Sequence, residues 1–131
     1  VAFTGNKNEK QETVVIPEKV YFELNDFKIT TEGKVILDKV IQVMKGNPKV
    51  NIEVSSHTDS QGSDEYNLDL SKKRAKSAVD YMIGGGVSKD RLAGVGYGET
   101  KLVNKCANGE LCSEEEHAQN RRLEFKVMYI K

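Results

Sequence analysis

Between His57 and Val79 the chain carries an acidic and a basic side chain that can grip one small group bearing both an ammonium and a carboxylate. His57-Thr58-Asp59 places a carboxylate at the head of a stretch containing Gly62, and Arg74 follows fifteen residues after Asp59. A carboxylate accepts hydrogen bonds from an ammonium, and a guanidinium donates a planar fork to a carboxylate. A split pair of this kind matches one small group bearing both charges. The same residues also fit a salt bridge that pins a loop to a helix, and exposed pairs of that kind contribute little. Spacing alone leaves both readings open.

Other constellations carry less. Ser56, His57 and Asp59 have the residue types of a hydrolytic relay. They sit together at a strand end, where successive side chains point to opposite faces, whereas a relay needs convergence. His57 reads better as a turn residue bonding the local backbone, and His117, beside three glutamates, as solvent-exposed. Asp59 to Glu65 has the polarity of a calcium loop, but the twelfth position from Asp59 is Leu70, where an EF-hand needs a bidentate Glu. Gly94-x-Gly96-x-Gly98 lies in and after an apolar strand with no helix opening behind it, so it reads as close packing or a bulge, not a dinucleotide loop. Lys72, Lys73, Arg74, Lys76 and Lys89 are interleaved with Asp69, Asp80 and Asp90, which reads as a solvated helix surface.

The elements that must position Asp59 and Arg74 are legible from periodicity. Val20, Phe22 and Leu24 alternate and predict a strand over 20–24. Thr30 or Thr31 caps a helix whose Leu37, Val40, Ile41 and Met44 fall at helical spacing, and Gly46 and Pro48 end it. Val50 to Val54 alternates as a second strand, and Ser55 to Tyr66 reads as a loop. A second helix is predicted from about Asn67 to Ile83, with Leu68, Ala75, Ala78, Val79 and Met82 as its apolar stripe. Ser88 caps a further short turn, and Leu92 to Tyr97 reads as a glycine-laced strand. Ser113-Glu114-Glu115-Glu116 has the form of a capping box, and Leu123, Phe125, Val127 and Tyr129 alternate along a last strand. The order β-α-β-α-β-(α)-β predicts an α/β (α+β) two-layer sandwich, with helices on one face of a four-stranded mixed sheet. Residues 1–17 read as a polar linker and 18–131 as the domain.

Composition bounds the function classes. With 131 residues, 31% charged and 37% hydrophobic, the chain fits one globular domain. Twenty basic residues balance twenty acidic ones, so no bulk charge argues for nucleic acid. No apolar run approaches the roughly 20 residues a membrane helix needs, so membrane association is expected only through a region outside this chain. Val1 reads as the start of a mature fragment, which leaves targeting signals illegible. Cys106 and Cys112 flank Asn108-Gly109, a dipeptide suited to a tight turn. They fit a small disulfide loop, worth about 2–3 kcal/mol and implying an oxidising compartment. Two free thiols, or a zinc site completed by His117, are the alternatives; the second lacks a fourth ligand and the usual spacing.

Several short motifs occur in one order: Phe22-x-x-Asn25-x-x-x-Ile29-x-x-x-Gly33, His57-Thr58-Asp59-x-x-Gly62, Asn67-x-x-Leu70-Ser71-x-x-Arg74-Ala75, Gly96-Tyr97-Gly98-Glu99 and Asn120-Arg121-Arg122-Leu123-Glu124-Phe125. With them the chain resembles the OmpA-like C-terminal domain shared with the Pal lipoprotein and the MotB stator protein, over about residues 18–130. The resemblance implies a non-catalytic domain without a cofactor, on the periplasmic side of an outer membrane. It would hold the diaminopimelate group of the peptidoglycan stem peptide and so anchor the envelope to the wall. Carried over by motif, Asp59 and Arg74 clamp the zwitterionic end of that group. Asn25 and Asp26 lend backbone contacts, Asn67 and Leu70 line the pocket, and Arg121 or Arg122 lies near it. The cysteine insertion and Glu114-Glu115-Glu116 depart from the shortest members, and Phe27 narrows the pocket mouth. The alternative is the same fold used as a protein-interaction module, recruiting an envelope or motor partner.

Overall fold

A computed structural model describes residues 16–129. In chain order it contains β1 (Ile16–Tyr21), α1 (Thr31–Lys45), β2 (Val50–His57), α2 (Asp64–Gly84), a single 3-10 turn (Lys89–Arg91), β3 (Leu92–Gly96), α3 (Glu114–Ala118) and β4 (Arg122–Tyr129). The sheet runs β1-β4-β2-β3. β2 and β3 are parallel, joined through α2, while β4 lies antiparallel to both β1 and β2. This is the mixed four-stranded sheet with helical cover that the element order predicts.

One core forms because the two periodicities meet. Leu37, Val40, Ile41 and Met44 of α1 bury one helical stripe. Ala78 and Met82 of α2, Val50, Ile52 and Val54 of β2, and Leu123 and Phe125 of β4 join the same cluster. Each large side chain buried this way is worth roughly 1.5–3 kcal/mol. Thr30 caps α1 by accepting from the Gly33 amide, as expected. No helix is long and apolar enough to cross a membrane among the described residues.

The boundaries shift for physical reasons. Ile16 and Pro17, assigned to the linker, already belong to β1, which ends at Tyr21 rather than Leu24. The expectation for residues 1–15, and that for the Tyr129 side chain, lies outside the described residues. β2 continues three residues past Val54, because Ser56 pairs with Gly96 on one side and His57 with Arg122 on the other. Backbone pairing on both edges thus draws a polar run into the sheet. α2 starts three residues early at Asp64, since Ser63 accepts from the Tyr66 amide and Asp64 and Glu65 complement the helix dipole.

The buried stripe of α2 is also turned. Leu68, expected inside, is 41% exposed, while Asn67, Ser71 and Arg74 are buried. β3 permits this by its glycines. A Cβ on Gly96 would lie 2.6 Å from the Ser71 hydroxyl and 2.7 Å from the Lys72 amide nitrogen. The helix therefore rests on bare backbone there, as the close-packing reading of these glycines anticipates.

Candidate ligand site

Arg74 projects from α2 into the space beneath the β1–α1 connection. Its guanidinium is 0% exposed. Nε donates to the Asp26 carbonyl at 2.7 Å, Nη1 to the His57 carbonyl at 3.2 Å and Nη2 to the Glu23 carbonyl at 3.0 Å. The Phe22 ring lies 4.8 Å from Cζ. Asn25 turns the connection with φ 59°, a left-handed conformation that Asn tolerates better than most residues. Burial lowers the Arg74 pKa to about 10, with Arg121 adding repulsion, while Asp59 and Asp26 counteract both. The group stays charged at neutral pH. Of five N–H donors on a guanidinium, three are engaged, which leaves two.

Asp59 begins the turn after β2 and is 2% exposed. One oxygen accepts from the Gln61 amide at 3.0 Å; the other accepts from the Gln61 side chain at 2.9 Å and from Arg121 Nη1 at 2.9 Å. The ion-pair partner of Asp59 is therefore Arg121, and Arg74 makes no salt bridge among the described residues. Of the two readings the spacing left open, the salt bridge between Asp59 and Arg74 is therefore not made. Arg74 spends its fork on carbonyls remote in sequence, two from the β1–α1 connection and one from the end of β2, and meets Asp59 only through the field.

Arg121 knits the site together. Its Nε donates to the Phe22 carbonyl at 2.9 Å, and its Nη2 donates to Glu114 at the start of α3. Burial opposes its charge, but hydrogen bonds and attraction from Glu114 and Asp59 outweigh that and raise its pKa. Arg122, the other arginine of the run, points elsewhere, to Glu124 and to the carbonyls of Asn120 and Lys101.

The remaining expected residues gather nearby. Asn67 is buried and donates to Glu99 at 2.9 Å. Burial raises the Glu99 pKa, and Asp64 adds to the rise. Asn25 accepts from the Tyr66 hydroxyl at 3.3 Å, and Leu70 is buried. Leu24, Phe27 and Tyr66 are exposed, and Lys73 sits 5.7 Å above the Phe27 ring. Sequence reasoning missed Gln61 and Glu114 as partners of Asp59 and Arg121. For Glu114 the available signal was a carboxylate shortly before the Asn-Arg-Arg run.

No hydrolytic relay is assembled. His57 closes β2 with its ring stacked on Tyr97, centroids 5.3 Å apart. It does not bond the local backbone through its ring, as its reading as a turn residue required; both ring nitrogens are buried without partners. Burial, with Arg122 nearby, lowers its pKa to about 4. Ser56 is buried with its hydroxyl unpartnered. His117 is half-buried rather than exposed. Cys106 and Cys112 form a disulfide, so their sulfurs are not thiolate ligands for zinc.

The buried charges of this two-layer α/β domain, Asp59, Arg74 and Arg121, converge under one loop. The chain belongs to the OmpA family, whose model matches residues 21–116. It is 31% identical over 110 residues to the peptidoglycan-associated lipoprotein of Rhizobium meliloti (strain 1021), covering 84% of this chain and 60% of that one. It is 36% identical over 118 residues to outer membrane protein A of Escherichia coli O157:H7, covering 86% of this chain and 34% of that one. The chain thus spans only part of these relatives. The crystal structure of the peptidoglycan-associated lipoprotein from Burkholderia pseudomallei matches with a TM-score of 0.75 and 30% identity, over 84% of this chain and 89% of that one.

Proposed function

We propose that this domain binds peptidoglycan non-covalently through the zwitterionic end of diaminopimelate in the stem peptide, and thereby anchors an envelope protein to the wall. The observation that carries the reading is the pairing of opposite buried charges in one site: the Asp59 carboxylate and the Arg74 guanidinium, which keeps two uncommitted donors. The ligand ammonium docks on Asp59 and the ligand carboxylate on Arg74. Asp59 and Glu114 offset Arg74 and Arg121, so the four charges sum to zero. A net-neutral zwitterion enters such a site without leaving a buried charge uncompensated. The Asp26 carbonyl, Asn67 and Leu70 complete the walls. Names among the relatives, peptidoglycan-associated lipoprotein and outer membrane protein A, support the wall and the envelope as the setting. The disulfide suits an oxidising compartment such as the periplasm.

Exposed Leu24, Phe27 and Tyr66 favour a second reading, in which the same rim docks an envelope protein. Calorimetric titration with a diaminopimelate-containing stem peptide, beside its lysine-containing analogue, separates the two. Saturable binding of the first and weak or no binding of the second is expected. Absence of heat with both would overturn the zwitterion clamp and leave the docking rim.

A further inference from the structure

We infer that the Cys106–Cys112 disulfide positions Asp59 for its ligand, holding the Asp59 turn through Ser60 at one end of the bridged loop and through Glu114 at the other. This rests on the ligand reading of Asp59 given above.

Two separate links run from the disulfide to the turn. At the first end, the Ser60 hydroxyl donates to the carbonyl of Cys106, whose side chain is buried. Ser60 directly follows Asp59, so this bond fixes the direction in which the turn leaves β2. At the second end, Cys112 is followed at once by Ser113, which caps α3 in a reciprocal box with Glu116. That cap sets Glu114 in the first turn, where its carboxylate accepts from Arg121 Nη2. Arg121 Nη1 in turn donates to Asp59. The cross-link thus closes a ring of contacts: disulfide, Ser60, Asp59, Arg121, Glu114, and back to the disulfide. A further contact, Asn108 to Asp64 at 3.4 Å, ties the loop to the first turn of α2.

The geometry separates this role from plain stabilisation. The residues bridging β3 and α3, Cys106 among them, contribute nothing to the main hydrophobic cluster. Opening the loop therefore leaves the core contacts in place, together with the ties of Asn104 to the Glu116 carbonyl and to Asn120, and loosens the two tethers beyond them. Cys112 is half-buried while Cys106 is fully buried, so a dithiol reductant attacks the Cys112 sulfur. Its thiolate bonds that sulfur as the S–S bond breaks, and Cys106 departs as a thiolate and takes a proton. The reductant's second thiolate then displaces Cys112, closing the reductant's own disulfide and leaving two protein thiols. Two electrons and two protons pass to the protein. With these tethers loosened, the Asp59 turn keeps only Gln61 and Arg121 to order it, and the remaining ordering cost at binding appears as weaker affinity.

The test compares oxidised protein, protein reduced with dithiothreitol, and the oxidised variants Ser60→Ala and Glu114→Gln. Each is titrated with the stem peptide and followed by the amide resonances of Gln61 and of the core strands. Expected are an affinity loss of about tenfold on reduction, shifts at Gln61 with core resonances unmoved, and smaller losses in each variant. The double variant should bind equally well oxidised and reduced. Equal affinity of oxidised and reduced wild type, or a Gln61 amide unmoved by reduction, would overturn the positioning role while leaving the ligand reading intact. Failure of the oxidised protein to bind at all would instead remove the ligand reading; the Gln61 amide then still reports whether the disulfide holds the turn.

Discussion

Replacing Arg74 with lysine tests whether this residue both builds the site and binds the ligand. The guanidinium serves three carbonyls from two places in the chain, those of Glu23 and Asp26 in one turn and that of His57 at the end of β2. Lysine keeps the charge, but its single ammonium reaches one or two of them. Hydrogen bonds to charged groups are worth about 1.5–3 kcal/mol each, and the freed carbonyls regain part of that through water. Arg74→Lys should therefore cost about 2–3 kcal/mol, or roughly 8–15 °C in melting temperature for a domain of this size. The planar fork offered to the ligand carboxylate also goes, so affinity for the stem peptide should fall at least about tenfold. Arg74→Ala is the poorer probe. It leaves a cavity beside Phe22 and removes a donor from all three carbonyls, of which that of Glu23 keeps the Asp26 amide, at about 3–5 kcal/mol, so lost binding would not separate site from scaffold. Thermal melts and calorimetry on the lysine variant decide the matter. A melting temperature within about 2 °C of wild type would refute the carbonyl network as a source of stability. Unchanged affinity would refute Arg74 as a ligand contact.

Asp59→Asn keeps the shape and one oxygen for the Gln61 amide, but an NH2 replaces the oxygen that accepts from the Gln61 side chain and from Arg121, and the charge proposed to face the ligand ammonium is lost. Stem-peptide binding should be lost, with a stability cost of about 1.5–3 kcal/mol by denaturant unfolding. The His57 pKa falls from 6.5 to about 4 on folding, so the unfolded chain binds more protons between those values. His57 thus contributes stability that is present above pH 6.5 and is lost as pH falls through about 4, some 3 kcal/mol in all. A His57→Phe variant, which keeps a ring against Tyr97, should lose correspondingly less stability across that window; parallel pH curves for the two proteins would refute this. Gly96→Ala forces a Cβ to within 2.7 Å of the Lys72 amide and should cost about 1–3 kcal/mol by lifting α2 from β3. An unchanged melting temperature would show that the helix shifts freely.

The sheet and the two main helices were legible because burial there is apolar and periodic. Val50, Ile52 and Val54 alternate inward, and Leu37, Val40, Ile41 and Met44 recur at helical spacing, as the structure has them. Ser113-x-x-Glu116 was legible as a capping box for a different reason: all its partners lie within one turn. Legibility fails where polar groups are buried. Ser55, Ser56 and His57 read as loop, since nothing in their own composition reveals that β4 and β3 pair with them.

The α2 stripe fails for a deeper version of the same reason. Asn67, Ser71 and Arg74 occupy positions i, i+4 and i+7, which is the spacing of a buried face. Hydropathy assigns such residues outward, because it charges each for desolvation without crediting its partner. Those partners are Glu99, the Gly98 amide and three carbonyls remote from α2, and only the Ser71 hydroxyl adds a partner on the helix itself, the Leu68 carbonyl. A polar line at core spacing on an otherwise amphipathic helix therefore signals a remote backbone that must come to meet it. Here that backbone is the Glu23–Asp26 turn, which Arg74 ties to α2 through two of its three hydrogen bonds. Site and scaffold are thus one network: the guanidinium that holds the turn through three of its N–H groups is the one whose two uncommitted N–H groups are proposed to meet the ligand carboxylate.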